Sequence, residues 1–116
     1  MALGAKKRTR GRRDIVVDGS AYYWRVFGND RRSMREGKVG VIIGEARRPH
    51  RRVTLTGRGL SWTVFVLGVA HSHSKVTPRL VREAILFAKA SGWPDRQPTI
   101  DVACAPDGAL SARPSG

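Results

Sequence analysis

The first alternation of apolar and polar residues runs from Ile15-Val16-Val17 through Asp18-Gly19 to Tyr22-Tyr23-Trp24-Arg25-Val26-Phe27. Asp-Gly supplies the positive φ angles of a tight turn between two β-branched and aromatic runs, so the segment predicts a β-hairpin. Val39, Val41 and Ile43 follow at period two, with Gly40 and Gly44 on the other face, where they leave room for a close neighbour. They predict a third strand over 38–46. Val53 to Thr56 predicts a short fourth strand, and Gly57-Arg58-Gly59 turns the chain into the run Trp62 to Ala70. That run is apolar on both faces except at Thr63, the pattern of a central strand covered on each side or partly at an interface.

The period then changes. Thr77-Pro78 predicts a helix start, with Thr77 as N-cap and Pro78 at the first helical position, where its missing N–H costs nothing. Val81, Ala84, Ile85 and Ala88 follow at helical spacing. Gly92 supplies a left-handed cap, Trp93 folds back on the last turn and Pro94 prevents continuation. Thr99 to Ala103 reads as a last strand. The expected fold class is therefore α+β, a mostly antiparallel β-meander of about five strands followed by one helix and that last strand. Residues 14–105 form the single expected domain, preceded by a disordered basic arm over 1–13 and followed by a flexible tail over 106–116. No internal repeat is present.

Two segments resemble small uncharacterised bacterial proteins that lack an assigned function. They are the hairpin Val17-Asp18-Gly19 with Tyr22 and Trp24, and the helix Thr77-Pro78 through Val81, Ile85, Ala88 and Gly92-Trp93. The resemblance covers roughly residues 14–94, implies the same fold reading, and carries over no catalytic residue. The basic arm and the Arg-rich loops lie outside it.

Composition narrows the class. A chain of 116 residues with 41% hydrophobic content holds one core. No apolar run approaches the roughly 18 residues that cross a bilayer, and no apolar segment follows Met1 as in a secretory signal. These features predict a soluble, cytoplasmic protein without a membrane partner. Cys104 is the only cysteine, which excludes an internal disulfide and a cysteine-rich zinc site. It is expected to pack as a small hydrophobe.

Charge points to a partner. Twenty-two Lys and Arg against nine Asp and Glu leave a net +13, a surplus that repels itself until something anionic neutralises it. Arginine, suited to bidentate phosphate contact, outnumbers lysine 17 to 5. The surplus is clustered: residues 1–13 carry +6, residues 25–58 carry +7, and residues 59–116 only +2. The clusters are the arm, with Lys6, Lys7, Arg8, Arg10, Arg12 and Arg13; a loop with Arg31, Arg32 and Arg35; and a loop with Arg47, Arg48, Arg51 and Arg52. Nucleic-acid binding through the phosphate backbone is the leading expectation. A small interaction or assembly subunit of a larger protein complex is the alternative.

A meander sorts these loops to the two ends of a sheet. The arm, the 28–37 loop and Arg58 are expected at one end. The 47–52 loop, His71, His73, Lys75 and the helix start are expected at the other, where they would assemble an anion site. There His71, His73 and His50 are candidates for general acid and base in a metal-independent ribonuclease. The competing reading makes His71 and His73 polar residues at the end of a strand. No metal site and no cofactor are predicted, because the ligand set is too sparse. Gly57-Arg58-Gly59 reads as a turn and not a nucleotide loop. Tyr22, Tyr23, Trp24 and Trp62 supply either a base-stacking platform or core under the helix.

Overall fold

The computed structural model describes residues 12–28 and 30–113, and Lys6, Lys7, Arg8 and Arg10 lie outside them. Strand β1 (Arg12–Val17) turns into β2 (Ser20–Phe27) at Asp18 and Gly19, whose φ angles of 52° and 80° are both positive, as a type I′ turn demands. β3 (Gly40–Glu45) and β4 (Arg52–Thr56) continue the antiparallel meander. The chain then leaves the sheet. A 3₁₀ turn (Arg58–Leu60), strands β5 (Ser61–Val66) and β6 (Val69–Ser74), and the helix α2 (Pro78–Ala90) precede β7 (Thr99–Cys104), which pairs parallel to β4. A final β8 (Leu110–Arg113) pairs antiparallel to β7, giving a six-stranded sheet in the order β1-β2-β3-β4-β7-β8. The fold is α+β, with α2 across one face of the sheet.

The core lies between them. Val17, Tyr22, Trp24, Val41, Ile43, Val53, Leu55, Ile100 and Val102 alternate onto the covered face, and Val81, Ala84, Ile85 and Ala88 of α2 meet them, all buried. Each fully buried Leu, Ile or Val side chain contributes about 1.5–3 kcal/mol over leaving it exposed. Both predicted helix signals hold. Thr77 accepts a hydrogen bond from the Leu80 N–H at 3.2 Å, and Gly92 has φ +104°. Trp93 is buried against Tyr22, its amide donates to Ala88 O, and its indole N–H donates to Pro98 O at 3.1 Å. No helix among the described residues is long and apolar enough to cross a membrane.

Four local expectations change. The run from Trp62 to Ala70 is not a central strand but a separate hairpin, because Leu67 and Gly68 both take positive φ (54° and 79°) and fold it at midpoint. Leucine in place of the usual Asn or Asp hides that turn. The cluster expected on a loop at 31–35 is a short helix, α1 (Arg31–Arg35), capped by Asp30, whose carboxylate accepts the Ser33 N–H at 3.0 Å. That bond holds the Asp30 carboxyl below its ordinary range. Arg12 and Arg13, expected in the arm, already belong to β1. The stretch expected as a frayed tail turns at Gly108, where Ala109 N–H donates to Asp107 Oδ1 at 2.9 Å, and returns as β8.

Candidate nucleic-acid interface

Strand alternation puts a second set of residues on the face that α2 does not cover. If Tyr22 and Trp24 point into the core, Tyr23, Arg25 and Phe27 point away from it. Registration across the strands then builds rows. Arg12 stands directly opposite Arg25, Arg25 opposite Ile42, and Ile42 opposite Thr54; Asp14 stands opposite Tyr23, Tyr23 opposite Gly44, and Gly44 opposite Arg52. Cross-strand pairs of like charge are destabilising, a cost that Asp14 and the Tyr23 ring offset for Arg12.

The aromatic rings are held flat by glycine. A Cβ at Gly44 would collide with the Tyr23 ring, and one at Gly40 with the Phe27 ring; the close neighbour predicted beside these glycines is therefore an aromatic side chain on the adjacent strand. Tyr23 is further fixed by its hydroxyl, which donates to Pro49 O at 3.0 Å. The Arg12 guanidinium lies 4.3 Å from the Tyr23 ring centroid, a cation–π contact, and 3.9 Å from Asp14 Oδ1. Arg52 Nε donates to the same Pro49 carbonyl at 3.2 Å. The result is a shallow groove of about 210 Å³ lined by Arg12, Tyr23, Arg25, Ile42, Pro49 and Arg52. No ion pair among the described residues involves Arg25 or Arg52. Asp14 and Asp101 are the carboxylates on this face, at its β1 and β7 sides.

The predicted Arg clusters divide by role. In the 46–51 connection Arg47 and His50 are exposed. Arg48 forks onto Glu45, with Nη2 donating to Oε2 at 3.1 Å and Nε 2.7 Å from Oε1, the second approach close but off the hydrogen-bond direction. Arg51 reaches inward, Nη1 donating to Pro94 O at 2.9 Å while its buried Nε has no partner among the described residues. On α1, Arg32 pairs with Glu36 at 3.2 Å, and Glu36 is held below its ordinary range by the Lys38 ammonium and by Arg32. Arg13, on the covered face of β1, places its guanidinium 5.7 Å from the Trp24 ring.

The expected anion site joining the 47–52 loop to His71, His73 and the helix start does not assemble. Arg51 and the Arg52 amide bond to Pro94 O and Pro98 O, which puts that loop beside the C-terminal end of α2. His71 and His73 sit on the hairpin, whose base is tied to α1 at the opposite end by the Ser61 hydroxyl donating to Met34 O. The meander reasoning fails because β5 never joins the sheet. His50 is therefore apart from the other two histidines, which instead border an open depression with Arg35. His73 stacks on Trp62, centroids 4.4 Å apart, as a cross-strand pair. No group of three or more His, Cys, Asp or Glu placed to hold a metal occurs among the described residues.

Tyr22 and Trp24 are core, while Tyr23, like Phe27, reaches the open face, and Trp62 stands exposed on the hairpin. Arg25 belongs to no cluster in the sequence and so is missing from the predicted site, although alternation from Trp24 is signal enough to place it outward. No protein-family model, no curated protein and no solved structure matches this chain.

Proposed function

We propose that this protein binds nucleic acid by its phosphate backbone on the open face of the six-stranded sheet. The observation that carries this reading is the directly opposed pair Arg12 and Arg25, set with Arg52 around a glycine-seated Tyr23. A phosphate bound between these two arginines replaces their repulsion with charge-assisted hydrogen bonds. The Tyr23 ring, rigid and half-exposed, offers a surface for an unpaired base, and base-on-aromatic stacking is tolerant of sequence. Single strands suit such a groove better than duplex. The basic run Lys6-Lys7-Arg8-Thr9-Arg10 precedes Arg12 in the sequence and adds cationic charge for the same phosphate backbone. The setting for such a binder is the cytoplasm. A second reading, assembly through protein contacts, draws on a different region, the uncharged hairpin β5–β6.

The test is a fluorescence titration of single-stranded and duplex oligonucleotides at several salt concentrations. Arg25→Ala with Arg52→Ala is expected to weaken single-strand binding at least about tenfold, and to flatten the slope of log K against log salt by ~0.7 for each phosphate no longer neutralised. Arg79→Ala with Arg82→Ala, which removes the same charge from the outer surface of α2, serves as control and is expected to change little. Equal losses in the two doubles would overturn the assignment to the sheet face, and absence of binding at low salt would overturn the function.

A further inference from the structure

The β5–β6 hairpin differs from the rest of the chain in charge. Residues 61–74 contain no Asp, Glu, Lys or Arg, in a sequence of which 27% is charged. Its apolar side chains face solvent: Phe65 is 70% exposed, Leu67 99% and Val69 57%, with Trp62, Val64 and Val66 also outward. Trp62, Val64, Val66 and Val69 share one face of the hairpin, Phe65 stands on the other, and Leu67 lies at the tip. The base of the hairpin is supported, since Ser61 Oγ donates to Met34 O at 3.2 Å and Lys75 N–H to Leu60 O at 2.8 Å. Thr63 and Ser72 hydroxyls lie 2.8 Å apart across the strands. The outer half has only its own ladder among the described residues, and two strands alone are marginal in water.

We infer that this hairpin is a self-association surface, and that its occupant is the same hairpin of a second copy of this chain. Patterning supports this, because Trp62, Val64, Val66 and Val69 line one face of the hairpin, where the only other side chains are those of His71 and His73. Charge supports it too. A chain at +13 repels its copies, and an uncharged projection joins them while keeping the basic sheet faces apart. The third argument is the backbone. Among the described residues neither β5 nor β6 has another strand beside it, so each carries an outer row of donors and acceptors. A lipid phase offers these groups no partner, whereas a strand from a second copy does. β5 reads Ser-Trp-Thr-Val-Phe-Val, without the charge, proline or glycine that keeps an edge strand from pairing. Pairing of β5 with β5 about a two-fold axis is an isologous contact, the same strand serving on both copies. The dimer stands independently of nucleic-acid binding; only its consequence, two basic faces on one particle, rests on that reading.

The experiment is sedimentation equilibrium of the nuclease-treated full chain across micromolar concentrations, at low and high salt, for the wild type and two variants. Val64→Lys sets a charge on the outward face of the edge strand. Leu67→Asn suits the positive φ at that position, so it preserves the turn while removing the apolar tip. The wild type is expected at twice the 12.8 kDa chain mass, undiminished at high salt. Val64→Lys is expected at the single-chain mass, and Leu67→Asn to dissociate at concentrations at least about tenfold higher than the wild type. A wild type at single-chain mass throughout would overturn the inference. So would a Val64→Lys protein with wild-type circular dichroism that dimerises unchanged, a mass that grows beyond two copies, or association that vanishes with nuclease or salt.

Discussion

The six-stranded sheet and the β5–β6 hairpin are built from the same kinds of residue, yet they dispose of them in opposite ways. In the sheet, Val41, Ile43, Val53 and Leu55 turn to α2 and are sealed, and arginine occupies the other face. In the hairpin, Val64, Phe65, Val66 and Val69 meet solvent, and no charged residue stands among them. The difference comes from the helix available to each. α2 supplies the sheet with a matching apolar stripe, Val81, Ala84, Ile85 and Ala88 at helical spacing. Among the described residues the hairpin has the five-residue α1 and the 3₁₀ turn against its base. A β surface with a partner stabilises the fold, and one without a partner is available to a second molecule.

Truncating one residue from each region breaks or sharpens that contrast. Ile85→Ala opens a cavity in the sealed layer between α2 and the sheet, and urea unfolding is expected to lose about 2–5 kcal/mol. Phe65→Ala removes a larger side chain from the hairpin. Measured at a dilution where the chain is single, it is expected to shift stability by no more than about 0.5 kcal/mol. Comparable losses from both would show that the hairpin packs into the body of the protein.

Within the sheet the two faces are separable as well. Gly44→Ala places a methyl group where the Tyr23 ring lies, and the overpacking is expected to cost about 1–3 kcal/mol. Because Tyr23 must tilt off the sheet, the same substitution is expected to weaken oligonucleotide binding more than its stability loss explains. A variant that loses stability but binds as the wild type would mean that the ring does not touch the ligand.

Much of the fold was legible from short-range chemistry. Asp18-Gly19 names its own turn, Thr77-Pro78 and Gly92-Trp93-Pro94 mark both ends of a helix, and the two-residue period of β3 assigns Val41 and Ile43 inward. The features that failed were those that depended on a partner. An apolar run without charge reads the same whether α2 covers it or nothing does, so Trp62 to Ala70 passed for a central strand. The Leu67-Gly68 turn lacks the usual Asn or Asp and gave no warning. That single error moved His71, His73 and the helix start to the wrong end of the molecule, because each connection in a meander inherits its end from the one before. The candidate site was half visible. Arg12 and Arg52 stand in clusters that the sequence displays, while Arg25 became significant only when the register set it opposite Arg12.

Cys104 gives the smallest and most local comparison between sealed and open structure. It lies on the covered face of β7, and burial pushes its thiol above the ordinary cysteine range, reinforced by the Asp107 carboxylate. The folded form therefore holds its proton at a pH where the unfolded chain has begun to lose it. Protonation favours the fold in full below the unfolded thiol value, near pH 8.5, and that contribution declines as pH rises through the folded value. Iodoacetamide labelling of the native protein near pH 9 is expected to be slow, and to reach the rate of a free thiol only when urea unfolds the sheet. Rapid labelling in the native state would place β7 with the accessible parts of the molecule, and the sealed layer would then end at β4.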